Sequence, residues 1–245
     1  MALGKAASSR DARIAGALYV AFFFMAVVRA IYIPILLFFP GNFASRILEH
    51  EGTFRFAMLT DLAAAVLTIL LVLALYQLLA PVNRALAIVM AILGLMVVPI
   101  RFVNVLCDFG ALQLIRGAGA LSAIAQVERD ALASFLTRLH EQGVVIDRIF
   151  WALWLLAFAA LVQRSRFLPR FLAVLLVISG VSYIVSSVCF FMLQTQAAQG
   201  VANAILPAAA GELVVMLWLL IRGVRSANGS GNAEGRLPRP TEGAK

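Results

Sequence analysis

The chain has little charge. Only 13% of its 245 residues are Asp, Glu, Lys or Arg, whereas soluble domains average about 25%. It also lacks the short motifs that assign a reaction: there is no Walker loop, no Gly-x-Ser-x-Gly elbow, no dinucleotide-binding fingerprint and no Cys-x-x-Cys pair. The composition therefore argues against an ordinary soluble domain, and no catalytic motif names a substrate.

Apolar residues take the place of the missing charge. They make up 63% of the chain, and the mean hydropathy is +0.97. A soluble protein of this size could not bury so much apolar surface in one core. The sequence therefore predicts an all-α, polytopic membrane bundle of six transmembrane helices, each near or above the length of about 20 residues that a bilayer requires. The predicted segments are 14–39, 55–79, 85–109, 143–162, 171–193 and 204–221.

The remaining stretches are shorter and more polar. Residues 1–13 form an N-terminal segment, 14–225 the membrane domain, and 226–245 a Gly-, Pro- and polar-rich tail that we expect to be disordered. The first apolar segment is too long for a signal-peptide core, which predicts an uncleaved helix. Apolar residues at helical spacing over 121–139 predict a short amphipathic helix between the third and fourth membrane helices, lying in the interface plane or packed on the end of the bundle.

The basic residues indicate an orientation. The net charge of +8 is carried in short clusters at the ends of the apolar segments. A cytoplasmic N-terminus places twelve Lys and Arg on the inner side and six on the outer. We therefore expect a multi-pass protein of the bacterial cytoplasmic (inner) membrane, with both termini cytoplasmic and the amphipathic helix extracytoplasmic. The clustering at helix ends also argues against a nucleic acid as partner.

Several charges lie within the apolar segments, and in this orientation all of them fall in the outer half of the membrane. An isolated charge at a helix centre costs about 2.5–3.5 kcal/mol, so these side chains should face inward and pair. Residues 101, 104 and 108 fall on one stripe of a helix. The predicted ligand-binding residues are Arg29, Asp61, Arg101, Asn104, Asp108 and Glu212, and the predicted rim residues are Arg55, His140, Asp147 and Arg148.

Three functions fit this cluster. In the first, an outward-facing polar cavity binds, and in one version transports, a small polar or amphipathic ligand; the two arginines at 29 and 101 hold an anionic group, and Asp61 and Glu212 hold the arginines or relay a proton. In the second, an intramembrane enzyme acts on a lipid-linked substrate with a carboxylate base and His50 or His140. In the third, a structural or signalling subunit uses its buried charges only to fix helix packing.

The sequence predicts no cofactor and no metal site. His50 and His140 are each followed by Glu, but the second His of a His-Glu-x-x-His helix is missing, so a site with Asp61 or Glu212 is the weaker interpretation. A disulfide between Cys107 and Cys189 stays open, because the sequence does not give their separation. The expected partners are membrane lipids and an unidentified small ligand, and an oligomer is compatible with the pattern.

Five blocks of the chain, spread over about residues 10–225, resemble a bacterial membrane family known as domain of unknown function 4386. The blocks are EHEGTFRFAMLTDL, YQLLAPVNRALAI, LHEQGVVIDRIFWAL, RSRFLPRFLAVLLVISGVSYI and GELVVMLWLLIRGV. The resemblance implies six helices and no established activity. The blocks contain Arg55, Asp61, His140 and Glu212. Asp147 and Arg148 depart from the family pattern, which leads us to expect small or apolar residues at those two positions.

Overall fold

The computed structural model describes residues 8–29, 43–193, 200 and 210–224, and within these ranges every regular element is helical. A five-residue 3-10 helix, Gly119–Ala123, precedes the longest α-helix. The α-helices in the described residues are α1 (Ser9–Val27), α2 (Phe43–Glu49), α3 (Glu51–Leu79), α4 (Arg84–Arg116), α5 (Gln126–Arg164), α6 (Arg170–Met192) and α7 (Gly211–Ile221).

Four of these helices, α3 to α6, are long and apolar enough to cross a membrane, and α7 is a shorter apolar helix. The all-helical membrane class is thus confirmed. Parts of the first and sixth predicted segments, Pro34, residues 1–7 and the tail 226–245 lie outside the described residues. The count of six membrane helices and the position of both termini therefore stay predictions.

The helices begin and end where the sequence supplies caps. The side chains of Ser8 and Asn83 accept hydrogen bonds from main-chain N–H groups in the first turns of α1 and α4. Gly117 ends α4 with a φ of 61°, the left-handed conformation that glycine adopts without a Cβ clash. Between its two ends α4 runs without interruption through Pro99 and extends beyond the predicted end at residue 109.

The predicted amphipathic helix is not a separate element. It is the N-terminal part of α5, which continues without a break into the predicted fourth membrane helix. Ala133 is fully buried there and packs with Ala111 and Leu112 of α4. The prediction of a separate short helix was therefore wrong, and the contacts with α4 support the alternative of packing on the bundle. The helix continues through Gly143. The Asn104 side chain occupies the space in which a Cβ of residue 143 would lie.

The packing of the helices decides which side chains meet. The long helix α5 lies along α4 and α6, whereas α1 contacts α3 and α7. Gly16 allows α1 and α7 to approach closely, because a Cβ at this position would collide with the main chain of Leu220. Large apolar side chains remain exposed on the outer faces, such as Val103 and Leu106 of α4, as expected for surfaces that contact lipid.

Candidate functional site: a charged cavity and a buried glutamate

A cavity of about 590 Å³ lies between the helices and collects most of the charges that the sequence singles out. Its walls come from the end of α1 and from α3, α4 and α5. The lining residues are Ala26, Arg29, Asp61, Ala64, Arg101, Asn104, Thr137, His140, Glu141, Val144, Val145, Asp147 and Arg148. The structure therefore brings together charged residues that are up to 119 positions apart, from Arg29 to Arg148.

Arg29 joins three helices at one wall of the cavity. Its Nε lies 2.8 Å from Asp61 Oδ2, and its Nη2 lies 3.0 Å from Asp108 Oδ2. The Asp108 side chain is completely buried, whereas that of Asp61 is 17% exposed. A guanidinium matches two carboxylates well because its planar fork carries several fixed donors. Arg29 therefore crosslinks α1, α3 and α4.

His140 completes this network. Its Nε2 lies 3.1 Å from Arg29 Nη2, and its Nδ1 lies 3.1 Å from Asp108 Oδ2 and 3.2 Å from the main-chain oxygen of Asn104. Because arginine only donates hydrogen bonds, the Nε2 atom accepts and Nδ1 carries the hydrogen. The imidazole is thus neutral in this arrangement, and its orientation is fixed from both sides.

The donor atoms of Asp61, Asp108 and His140 lie within 4.8 Å of one another, a grouping of two carboxylates and one imidazole that suits a metal ion. In the structure each of these side chains contacts the Arg29 guanidinium. The cation that this group holds is therefore an arginine side chain.

The other two arginines of the cavity are less fully paired. Arg101 Nε lies 3.2 Å from Asp147 Oδ2, and the guanidinium sits 5.0 Å from the centre of the Phe22 ring. Arg148 donates from Nη1 to Ser186 Oγ at 3.0 Å and has no carboxylate within 4.0 Å among the described residues. The three arginines of the cavity thus contact two, one and no carboxylates.

Glu212 occupies a different place from the one predicted. It does not line the cavity and pairs with neither predicted arginine. Instead it accepts hydrogen bonds from Tyr19 Oη, from Trp151 Nε1 at 3.1 Å and from Tyr183 Oη at 3.2 Å. The physical reason is its position in the first turn of α7, which packs against α1 and α6 rather than α4.

Some other predicted residues also lie elsewhere. Arg55 is 49% exposed and donates to Glu51, a residue that Arg116 also contacts, so it is remote from the cavity lining. His140 and Asp147 are both buried and line the cavity. The sulfhydryls of Cys107 and Cys189 are both free, so the disulfide alternative is not realised.

The three residues that hold Glu212 could not be predicted from the sequence pattern. Tyr19 lies 193 positions from Glu212 along the chain, and no spacing rule connects them. Trp151 is uncharged, so the cost of burying charge in a membrane does not single it out. The one available signal is that Tyr183 belongs to the only predicted segment without a charged residue, nearer the middle of the membrane than the charged positions of the other segments.

The fold and the site define an all-helical membrane protein with a charged cavity between its helices. The chain matches the family model described as Domain of unknown function (DUF4386) over residues 14–223. It belongs to that family, as the resemblance of the five blocks implied. No curated protein and no solved structure matches the chain.

Proposed function

We propose that the cavity binds a small polar or amphipathic ligand through an anionic group. The observation that carries this proposal is the unequal pairing of the three arginines. Arg148 contacts no carboxylate among the described residues, and Arg101 uses only its Nε for an ion pair. Their remaining guanidinium N–H groups are available to a carboxylate, sulfate or phosphate group, which arginine binds in a fork-like geometry.

Arg29 has a different role in this proposal. Its guanidinium already contacts two carboxylates and the His140 ring, so it acts as a crosslink between helices and not as the anion-binding group. An arginine without a counter-ion inside a membrane is costly. Arg148 interacts with the charge of the neighbouring Asp147 but contacts no carboxylate directly within the described residues, so an anionic ligand would supply a direct partner and has a reason to bind.

We also propose that the chain is a multi-pass protein of the inner membrane. We propose six membrane helices with both termini in the cytoplasm and the cavity opening to the outside. Reporter fusions after residue 245 test the orientation: a fluorescent-protein fusion should fluoresce, and an alkaline phosphatase fusion should be inactive. The reverse pattern would overturn the orientation without affecting ligand binding.

Native mass spectrometry tests the ligand directly. Protein extracted under mild conditions should carry a bound anionic species that is lost from Arg148→Ala and kept by Arg138→Ala, a matched change at an exposed position of α5. Delipidated protein would then be offered either anionic phospholipid in vesicles or inorganic phosphate. Binding in one arm only identifies a lipid headgroup or a free anion as the source. Equal occupancy of wild type and Arg148→Ala would refute the proposal.

One observation favours an enzyme as the second candidate. His140 Nδ1 faces Asp108, the arrangement by which a carboxylate orients a general base. Catalysis would require Nε2 to be free, whereas Arg29 occupies it. Turnover of a labelled membrane-lipid extract by wild type, and its loss in His140→Gln, would support the enzyme. A role confined to helix packing would instead appear as loss of stability in the arginine variants with no ligand in wild type.

A further inference from the structure

The environment of Glu212 differs from that of the other carboxylates placed within the apolar segments. Asp61, Asp108 and Asp147 each contact an arginine. Glu212 is only 4% exposed and forms no salt bridge within the described part of the chain. Its polar contacts are neutral donors, two phenols and one indole. It is therefore a buried carboxyl group without a counter-ion.

Two stretches of the sequence next to the helices that hold Glu212 add no basic residue. The stretches 30–42 and 194–209, which adjoin the described helices, contain no Lys, Arg or His. The titratable groups that face Glu212 are Tyr19 of α1 and Tyr183 of α6. From α5, the charge of Arg148 acts on the Tyr183 hydroxyl, but Arg148 does not contact Glu212.

The donors around Glu212 suit both of its protonation states. As a carboxylate it accepts from Tyr19, Tyr183 and Trp151, and hydrogen bonds to a charged group offset part of the cost of burying it. As an acid it needs an acceptor for its own proton. The indole can only donate, but a tyrosine hydroxyl can accept as well. Rotation of one hydroxyl therefore provides the acceptor without any movement of the helices.

Burial without a counter-ion disfavours the charged form, and the three donors favour it. Because these effects oppose each other, the charged and the protonated forms of Glu212 are closer in free energy than they would be if an arginine contacted the carboxylate. We propose that Glu212 is a proton-binding site inside the bundle, held by Tyr19, Tyr183 and Trp151 and separate from the charged cavity. Its ligand is the proton, and it requires no ligand in the cavity.

Infrared difference spectroscopy of the full chain in lipid nanodiscs tests this site. Acidification should produce the carbonyl stretching band of a protonated carboxylic acid, with the shift expected in D₂O. Because other carboxylates also protonate, one component of the band should be lost in Glu212→Gln and kept in Glu128→Gln, the same change at an exposed position of α5. A wild-type spectrum without such a band, or an unchanged band in Glu212→Gln, would overturn the proposal.

A second variant keeps the test decisive if Glu212→Gln does not fold. Tyr183→Phe removes one donor to the carboxylate and leaves Glu212 in place. The charged form loses stabilisation, so the midpoint of the band should move to higher pH. The intrinsic fluorescence of Trp151, whose indole N–H also contacts Glu212, should change over the same pH range. A midpoint that does not move in Tyr183→Phe would count against the site.

Discussion

Replacing Arg29 with glutamine would leave two carboxylates inside the bundle without their arginine. Removing one partner of a buried ion pair typically costs about 3–5 kcal/mol, because the remaining charge stays buried. The completely buried Asp108 side chain carries most of this cost, and the 17% exposed Asp61 side chain carries less. We therefore expect Arg29→Gln to lower the free energy of unfolding by about 3–5 kcal/mol.

The assay is reversible denaturation in mixed micelles, followed by circular dichroism. Arg55→Gln is the matched control, because its partner Glu51 is near the surface and keeps a second arginine, Arg116. That change should have a much smaller effect, because ion pairs exposed to solvent contribute little to stability. Equal destabilisation by the two changes would refute the assignment of Arg29 as a buried crosslink.

A triple variant distinguishes the cost of leaving a buried charge unpaired from the cost of altering the side chains. Combining Arg29→Gln with Asp61→Asn and Asp108→Asn removes the cation together with both carboxylates, so no unpaired charge remains buried. Replacing a complete buried ion pair is often nearly neutral, whereas breaking it is not. We expect the combined variant to recover most of the stability that Arg29→Gln loses.

Three further predictions follow from the packing and the site. Gly16→Val should destabilise the protein by about 1–3 kcal/mol or more in the same assay, because the valine side chain would collide with the main chain of Leu220. Gly52→Val is the control and should cause no such clash, because a Cβ at residue 52 has no atom within 4 Å. Denatured but unreduced protein should add two maleimide groups by mass, because Cys107 and Cys189 are free; a product with no adduct would indicate a disulfide. If protonation of Glu212 and anion binding in the cavity favour each other, the affinity of wild type for sulfate should rise as the pH falls. In Glu212→Gln the affinity for sulfate should change much less with pH.

Much of the charged cavity could be predicted from the sequence, because burying a charge in a membrane restricts where it can lie. Arg29, Asp61, Arg101 and Asp108 were expected to face inward and pair, and they do so. The choice of partners could not be predicted. Arg101 pairs with Asp147 from the neighbouring long helix, since α4 and α5 run side by side over most of their length.

The amphipathic stretch shows where periodicity stops being informative. Apolar residues at helical spacing over 121–139 predict a helix, but the same pattern fits a helix on a membrane surface and one that packs on protein. The interaction of Ala133 with α4 selects the second arrangement. The helix then continues through Gly143 into the membrane segment. The absence of a Cβ at this position leaves room for the Asn104 side chain of α4.

Composition and the lengths of the apolar segments by themselves determined that this is a helical membrane protein, and the cost of buried charge determined which residues belong to its interior. Both follow from transfer of side chains and main chain out of water, which depends on residue type and hardly on long-range contacts. Only the tertiary structure decided that the charges divide into an arginine-lined cavity and a separate glutamate. That division depends on α7 packing against α1 and α6, which brings Glu212 to two tyrosines and a tryptophan instead of an arginine.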